Sequence, residues 1–417
     1  MAQIDQSHTD WYRTELTNYQ CLNDPALLGY HGATIFSSTT NKAASDFLVD
    51  LGLSSWPASN RYAYMESSPF TNLMLNIRYL VDREGNHLDP DYNKIVAQSG
   101  DVTLQENASY LPMGFVMRPE ILEFDTQQCT DYPMNTQNKL FTMATGVEDA
   151  LYTTIPPTTM DGGEASVREN GRNKYSYQAT GLTTDPELTF TYVLSEDTLF
   201  CVYFQCKGIQ NLRISVNDAY LADRNVKVGS ILCLGDYPRG TKITLRCTGE
   251  AGKTNRISLQ ACSFHKDVFN RGYQILSQSK LRSTQLTERA LSGVIRVQEP
   301  GLFYTSIPYE PGWTAKVDGK PVDITPVGGA MLAFSIDGGT HTVEISYLTP
   351  GLLLGAGISA FCLLAVLLLL IFHPKFRMPK RPKRQPEPDA QLEFLLNYEI
   401  PELQAIPNAE ASDETTE

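Results

Sequence analysis

The stretch YHGATIFSSTTN, residues 30–41, gathers side chains that can bind a polar ligand. Several of them could exchange hydrogen bonds with sugar hydroxyls or a phosphate: Tyr30, His31, Ser37, Ser38 and Asn41. The alternative is that the serines and threonines of this stretch cap the next helix. No G-x-S-x-G motif and no acidic partner for the histidine can be identified. The sequence therefore predicts a candidate substrate-facing loop and not a nucleophilic triad.

Two pairs of carboxylates have a spacing that could serve acid–base chemistry. Asp46 and Asp50 lie four residues apart on a predicted helix, and Glu120 and Glu123 lie three apart after a proline. Such pairs more often form a solvated helix face, which is the interpretation we adopt. The DGGE segment at 161–164 predicts a turn, because no P-loop lysine follows it.

The eight cysteines indicate neither a disulfide scaffold nor a metal site. Cys201 and Cys206 would point to opposite faces of a regular strand. Cys233 and Cys247 lie on two candidate strands and could be cross-strand neighbours, either joined by a disulfide or as buried thiols. No CxxC or paired His/Cys spacing is present, so no metal ligand is predicted.

The pattern of apolar, polar and turn residues along the chain predicts an α+β, mostly β protein. Residues 1–160 read as an irregular α/β region, with helices over NKAASDFLVDLGL and NTQNKLFTMATGV and strands over LMLNIRYLV and LPMGFVM. Residues 161–270 carry about seven short alternating strands divided by turn residues, which is typical of a jelly-roll-like β-sandwich. Its tyrosines could stack on a carbohydrate or pack the sheets: Tyr175, Tyr177, Tyr192, Tyr203 and Tyr220.

Residues 271–350 predict a helical or extended linker followed by a small membrane-proximal β domain. Asp318-Gly319 favours a two-residue hairpin turn, since glycine accepts positive φ. Tyr309 and Trp313 are aromatic residues with a polar edge, which suit the membrane–water interface. Alternatively, Trp313 fills the core of the small domain. In both cases we expect Tyr309, Trp313, Asp318 and Gly319 to serve docking and not catalysis.

Residues 351–372 form an uninterrupted apolar run, GLLLGAGISAFCLLAVLLLLIF, without a charge. A bilayer core is crossed by about 20 apolar helical residues, so the run predicts one C-terminal transmembrane helix. A basic cluster follows between Lys375 and Arg384, and the positive-inside rule places it in the cytoplasm. The tail, residues 373–417, is basic and then acidic and proline-rich, and is predicted to be disordered and cytoplasmic.

This topology places residues 1–350 outside the cytoplasm. The start, MAQIDQSHTDWYRTE, has neither a basic n-region nor an apolar h-region, so no signal peptide is predicted. We therefore expect further membrane spans upstream of this chain, or a late-assigned start or a split gene. The net charge of −13 argues against a nucleic-acid partner, because phosphate binding needs a basic face.

The order of several motifs resembles the YfhO family of bacterial membrane proteins. The motifs are LLGYHGATIFSSTTNKAASDFLVDLGL, LMLNIRYLV, LPMGFVM, the sandwich, LFYTSIPYEPGWTAKVDGKPV and the glycine-led terminal helix. Together they span most of residues 11–372, and the LFYTSIPYEPGWTAKVDGKPV motif is the most specific.

The resemblance implies a GT-C-like glycosyltransferase that decorates cell-envelope polymers of the teichoic-acid type. The donor would be a polyprenyl-phosphate-linked sugar, and no other cofactor is implied. In GT-C enzymes the catalytic acid lies in the first extracytoplasmic loop between early spans, so no residue of this chain is nominated as catalytic. The chain alone is expected to be inactive, with the bilayer, the upstream spans and an envelope polysaccharide as its partners. A second hypothesis is a membrane-anchored carbohydrate-binding or adhesion module without catalysis.

Overall fold

The computed structural model describes residues 11–56, 61–65, 67–83, 91–125, 132–287 and 289–372. The chain divides into two compact units, Met1–Pro350 and Gly351–Glu417. The first part of the first unit mixes short helices with short strands, in this order: β1 (Arg13–Leu16), α1 (Asp24–Leu28), β2 (Ile35–Phe36), α2 (Lys42–Asp50), β3 (Ser54–Trp56), β4 (Arg61–Ala63), α3 (Pro69–Met74), β5 (Ile77–Asp82), β6 (Asn93–Ser99), β7 (Val102–Asn107), β8 (Phe115–Met117), a 3₁₀ helix (Pro119–Glu123) and α4 (Pro133–Thr145).

The helices of this part begin and end where capping chemistry places them. The side chain of Asn41 accepts a hydrogen bond from the backbone N–H of Ala44 at the start of α2, and Gly52 follows the helix with a φ of 81°. Helix α4 begins at Pro133 and ends at Gly146, which is left-handed with a φ of 77°. Both predicted helices are confirmed.

The predicted strand over LMLNIRYLV is only partly correct. Its first residues complete α3, and the strand β5 begins at Ile77. Ser68 explains the difference, because its hydroxyl caps α3 by accepting from the N–H of Thr71 at 3.1 Å, and a proline follows it. Asn76, with a φ of 57°, then turns the chain into β5. The sheet formed there has the order β1-β5-β7-β6, with β1 parallel to β5, and β2-β4-β3 form a second small sheet.

The middle of the chain is the β-sandwich that the alternating pattern predicts. Its strands are β9 (Tyr152–Ile155), β10 (Thr159–Asp161), β11 (Ala165–Glu169), β12 (Lys174–Ala179), β13 (Glu187–Val193), β14 (Thr198–Cys206), β15 (Asn211–Val216), β16 (Ala219–Asn225), β17 (Ile231–Tyr237), β18 (Lys242–Thr248) and β19 (Thr254–Phe264). One sheet has the order β10-β13-β18-β15-β16, and the other has the order β11-β12-β19-β14-β17, with β9 beside β19. Apolar side chains of both sheets form the core between them.

Of the two alternatives for Cys233 and Cys247, the one that makes them cross-strand neighbours is wrong. Cys233 lies on β17 opposite Cys201 of β14, whereas Cys247 lies on β18 in the other sheet, opposite Leu188. The strands that follow one another in sequence here belong to different sheets, so their proximity along the chain does not make them neighbours. Cys201 and Cys206 do face opposite sides of β14, and they belong to two different core clusters.

The helical or extended linker predicted from residue 271 is in fact the second half of a helix that begins at Lys266, followed by the first strand of the next β structure. The elements are α5 (Lys266–Ser277), β20 (Leu281–Thr287), β21 (Ala290–Val297), β22 (Gly301–Pro308), β23 (Trp313–Val317), β24 (Lys320–Val322), β25 (Met331–Ile336) and β26 (Gly339–Tyr347). They form one sheet of order β20-β21-β26-β23-β24 and a second of order β25-β22-β8. Strand β8 therefore brings the N-terminal part into the C-terminal β structure.

One core cluster extends across the first unit. It contains residues of α2, α4, β14 and β22, and the ring of Phe115 on β8 lies 5.4 Å from that of Tyr304 on β22. A smaller cluster fills the C-terminal β structure, where Phe303 and Phe334 stack with centroids 4.8 Å apart. The boundaries at 160 and 270 stay predictions, since these shared cores join residues on both sides of them.

The second unit begins with α6 (Leu352–Phe372), a helix of 21 residues with a mean hydropathy of 2.7. Its length and composition are sufficient to cross a membrane, as the sequence predicts. Nearly all of its side chains are exposed to the surroundings. The basic cluster and the predicted disordered tail lie outside the described residues.

Candidate functional site

A cavity of about 500 Å³ lies in the first unit, beside β1. Its wall comes from the N-terminal part and from the β22 and β25 region, which contributes Ser306, Pro308 and Met331. Six of the residues that line it have aromatic or charged side chains: Trp11, Arg13, Tyr30, His31, Phe36 and Tyr62. Ligand pockets typically combine apolar and aromatic walls with a few placed polar groups, which is the composition found here.

The polar floor of this cavity is built around Arg13. Its guanidinium donates hydrogen bonds to the carbonyl oxygen of Leu75 at 2.8 Å, to that of Ser306 at 3.1 Å, and to the Ser306 hydroxyl. The guanidinium also lies 4.8 Å from the centre of the Trp11 ring, in a cation–π contact. Arg13 therefore joins β1 to β22 and supports an aromatic wall residue at the same time.

Glu15 follows two residues later on the same face of β1, as the two-residue period of a strand requires. Its carboxylate accepts hydrogen bonds from the backbone N–H of Thr34 at 2.8 Å, from the Thr34 hydroxyl at 2.9 Å, and from the N–H of Ala33. Burial raises the pKa of Glu15 above its ordinary value, while these hydrogen bonds and Arg13 oppose the rise. The carboxylate holds the Ala33-Thr34 backbone against β1.

Gly32 explains why this loop can approach β1 so closely. A Cβ atom at this position would lie 2.5 Å from a side-chain carbon of Pro25 and 3.0 Å from the Glu15 carboxylate. Only glycine leaves room for both contacts, so the loop that carries Tyr30 and His31 is fixed at its base.

The aromatic wall is formed by the predicted loop and by the residues that precede β1. The rings of Trp11 and His31 lie 5.6 Å apart at an angle of 38°. The hydroxyl of Tyr30 is buried and has no hydrogen-bond partner within the described part of the chain. Burial raises the pKa of Tyr30, so this hydroxyl stays protonated.

The structure separates the predicted loop residues into two groups. Tyr30 and His31 line the cavity, whereas Ser37, Ser38 and Asn41 do not. The hydroxyl of Ser37 bonds that of Thr39 at 3.1 Å within the loop. The helix cap is Asn41 itself, and its amide also donates to the carbonyl oxygen of Tyr309 at 2.7 Å.

Several residues of this site were not anticipated from the sequence: Trp11, Arg13, Tyr62 and Ser306 line the cavity, and Glu15 holds the Thr34 backbone beside it. The two-residue period of β1 places Arg13 and Glu15 on one face of the strand, but the sequence gives no sign that this face borders a cavity. Ser306 is separated from Arg13 by almost the whole first unit, so only the fold brings it to the cavity.

The residues predicted to dock near the membrane occupy the C-terminal β structure. Trp313 is partly buried and lies 5.0 Å from the ring of Tyr347. Asp318 and Gly319 form the predicted two-residue hairpin, with φ of 53° and 74°. His341 Nδ1 lies 2.8 Å from the Asp318 carboxylate and lowers its pKa. Their docking role stays a prediction.

Other candidates contribute less to a binding site. A larger open cavity, of about 680 Å³, contains Asp46 and Asp50, but Asp46 is paired with Lys42 on a solvent-exposed helix face. The Glu120 side chain pairs with Arg118 at the surface. Among the described residues, no group of three or more His, Cys, Asp or Glu side chains is placed to hold a metal ion.

The sandwich tyrosines are mainly packing residues. Tyr175, Tyr177 and Tyr192 are buried in the core between the sheets, where no glycan can reach them. Tyr203 is partly buried and contacts Tyr132, and Tyr220 is exposed. A stacking platform of five tyrosines is therefore wrong for this sandwich.

Comparison with known proteins gives one extensive match. The family model described as "Bacterial membrane protein YfhO" matches residues 1–359. No curated protein matches the chain.

Solved structures are similar only in part. One is the catalytic domain of a GH87 alpha-1,3-glucanase in complex with nigerose, at 12% identity over 28% of this chain and 28% of that chain, with a TM-score of 0.18. A Pleurotus ostreatus lectin in its apo form matches at 9% identity over 47% of this chain and 76% of that chain, with a TM-score of 0.17. A Streptomyces avermitilis alpha-L-rhamnosidase complexed with L-rhamnose matches at 9% identity over 59% of this chain and 26% of that chain, with a TM-score of 0.18.

Proposed function

Because this chain belongs to the YfhO family of bacterial membrane proteins, we propose that it takes part in the glycosylation of cell-envelope polymers. In this proposal, residues 1–350 lie on the extracytoplasmic side and the tail after α6 lies in the cytoplasm. The donor is a sugar linked to polyprenyl phosphate, and the acceptor is a polymer of the teichoic-acid type. The chain is anchored in the bilayer and acts together with polytopic membrane spans that carry the transfer chemistry.

The cavity beside β1 is the observation that carries the proposal. It offers a hexose-sized unit an aromatic wall at Trp11 and His31, to which the partly exposed side chain of Tyr30 adds. Arg13 and Glu15 fix this wall from below through hydrogen bonds to β22 and to the Thr34 backbone. A fixed wall orients a sugar at little entropic cost when it binds.

The same geometry supports a positioning role for this chain and not a catalytic one. Glu15 is a carboxylate two residues from the cavity residue Arg13, but its side chain is buried and accepts three hydrogen bonds from the protein. A general base needs access to the proton that it removes, and this carboxylate is occupied by the loop that it holds. We therefore assign binding of the sugar or of the polymer to the cavity, and transfer to the partner spans.

The experiment compares envelope polymers from cells that carry the native protein, a deletion, or single variants. Trp11→Ala removes the aromatic wall, and Tyr220→Ala is the matched control because Tyr220 is an exposed aromatic residue of the sandwich. The sugar content of purified teichoic acid is measured, together with the amount of protein in the membrane. We expect a several-fold loss of sugar with Trp11→Ala, a complete loss with the deletion, and no change with the control.

Two results would contradict the proposal in different ways. Unchanged sugar content in the deletion strain would remove the glycosylation function. If, in addition, the native protein binds envelope polysaccharide and Trp11→Ala does not, the second hypothesis would replace it. The chain would then be a membrane-anchored binding module. A loss in the deletion strain without any loss for Trp11→Ala would exclude the cavity as the binding site.

A further inference from the structure

Three cysteines stand side by side on neighbouring strands of one sheet of the sandwich. Cys233 on the edge strand β17 is opposite Cys201 on β14, and Cys201 is in turn opposite Cys262 on β19. The glycosylation proposal uses none of these residues. All three belong to the core between the sandwich and the N-terminal part, or pack against it.

The middle cysteine, Cys201, is in close contact with Cys233. The Sγ atoms of Cys201 and Cys233 lie 2.8 Å apart, which is shorter than two unbonded sulfur atoms approach. The Sγ of Cys262 instead lies 3.9 Å from the hydroxyl of Thr154 on β9. Opposite residues of an antiparallel pair have Cα atoms about 4.5–5.5 Å apart, which falls within the roughly 4.4–6.8 Å that a disulfide spans. Cys201 stands next to a bulge in this pairing, between Phe200 and Cys201, so the short distance between the two sulfur atoms supports the pair more directly than the regular spacing does.

We propose that Cys201 and Cys233 form a disulfide that attaches the edge strand β17 to β14, and that Cys262 stays a thiol. Cys233 is the partly exposed member of the pair and Cys201 is buried, so an oxidant reaches Cys233 first. Burial also raises the pKa of the Cys262 thiol to about 12, which keeps it protonated and unreactive.

The reaction needs an oxidant that carries a disulfide, such as a thiol–disulfide oxidoreductase or a low-molecular-weight disulfide. The Cys233 thiolate attacks one sulfur of that disulfide and expels the other as a thiol, which leaves a mixed disulfide on Cys233. The Cys201 thiolate then attacks the Cys233 sulfur and expels the second thiol. Two protein thiols lose two protons and two electrons, and the oxidant is reduced to two thiols.

The bond has a structural consequence for the whole first unit. The N–H of Ile231 on β17 donates to the carbonyl oxygen of Gly52 at 2.8 Å, so this edge strand also contacts the N-terminal part. Joining β17 to β14 fixes the surface on which that part packs. The proposal does not depend on the glycosylation function, and its test has a separate readout.

The test uses the full chain in the membrane of the bacterium that expresses it. Thiols are trapped with acid and alkylated, and the protein is digested without reduction and mapped by mass spectrometry. We expect a peptide pair linked through Cys201 and Cys233 that separates on reduction, while Cys262 is recovered alkylated. The linked pair should disappear in Cys233→Ser and persist in Cys262→Ser.

A second measurement keeps the proposal testable if Cys233→Ser does not accumulate. Purified wild-type protein is reduced in detergent, half is incubated with oxidised glutathione, and both halves are mapped in the same way. Formation of the Cys201–Cys233 link with a higher thermal midpoint than the reduced half supports the proposal. Full alkylation of both thiols in the membrane-trapped protein would overturn it, and so would a link between Cys201 and Cys262.

Discussion

Replacement of Arg13 by methionine gives the most direct test of how the cavity is held together. Methionine keeps most of the side-chain length but removes the charge and every donor. The carbonyl oxygens of Leu75 and Ser306 then lose a donor, as does the Ser306 hydroxyl, and the buried Glu15 loses its nearby positive charge. The variant therefore leaves several buried groups unsatisfied at once.

The expected loss of unfolding free energy is about 3 kcal/mol. Leaving a buried hydrogen-bond acceptor without its donor costs roughly 1–3 kcal/mol. Arg13 has three such acceptors, but it is partly exposed to the cavity, so water can reach part of the vacated space and reduce the cost of each. The double variant Arg13→Met/Glu15→Gln should cost less than the sum of the two single variants, by about 1–2 kcal/mol, because both charges are then absent.

The assay is urea unfolding of the full chain in detergent, followed by tryptophan fluorescence. Trp11 lies against Arg13, so its emission reports on this region directly. The matched control is Arg213→Met, since Arg213 is an exposed arginine paired with Asp223 on the sandwich. Surface pairs of this kind contribute about 0–1 kcal/mol, and the control should stay within that range.

The pH dependence provides a second readout of the same pair. Burial raises the pKa of Glu15, so the folded protein binds this proton more tightly than the unfolded chain does. The stability from this group is fully present below the unfolded pKa of about 4.5 and is lost as the pH rises through the folded pKa. Loss of Arg13 raises the folded pKa of Glu15 further. The deficit of Arg13→Met should therefore be smaller at about pH 5 than at about pH 7.5, and Glu15→Gln should abolish this difference.

The reasoning would be refuted by a loss of less than about 1 kcal/mol for Arg13→Met together with additive single variants. That result would mean that Arg13 and Glu15 do not interact and that the acceptors of Arg13 find water instead. The cavity would then lack the rigid floor on which the binding proposal depends.

Three further variants test the hairpin, the contact between α4 and α5, and the core of the C-terminal β structure, each by thermal unfolding of the full chain. Gly319→Val should cost about 1–2 kcal/mol, since a β-branched residue opposes its φ of 74°, whereas Gly319→Asn should be tolerated. Gly272→Ala should cost about 1–3 kcal/mol because the new Cβ would meet the Phe141 ring at 2.3 Å; an unchanged midpoint would show that α5 can shift away from α4. Phe303→Ala should cost about 3–5 kcal/mol through the cavity it leaves, and Phe303→Leu should cost clearly less.

Trp313 precedes α6 in the sequence and was expected either to lie at the membrane–water interface or to fill the core of the small domain. Trp313 packs against Tyr347 and the core of the C-terminal β structure, so it contributes to that core as one of the two alternatives expects. It is partly buried and not enclosed, which also leaves part of its ring available at the surface. Its role at the bilayer stays a prediction.

The sequence alone determined the features that depend on neighbours within a few residues. The end of α2 before Gly52, the hairpin at Asp318-Gly319 and the apolar length of α6 are all local signals. Each depends on one dihedral angle, one hydrogen bond or one hydrophobic length, and the residue types at that position determine it. Alternation likewise predicted the sandwich, because period two needs no knowledge of the partner strand.

Tertiary structure alone decided which distant residues meet. Nothing local indicates that β8 pairs with β22, that Arg13 reaches Ser306, or that Cys233 faces Cys201 and not Cys247. Strand partners are chosen by the burial of whole sheet faces across hundreds of residues, and many registers satisfy the same alternating pattern. The cavity exists only once those choices are made, which is why Tyr30 and His31 could be nominated from the sequence while the arginine and glutamate beneath them could not.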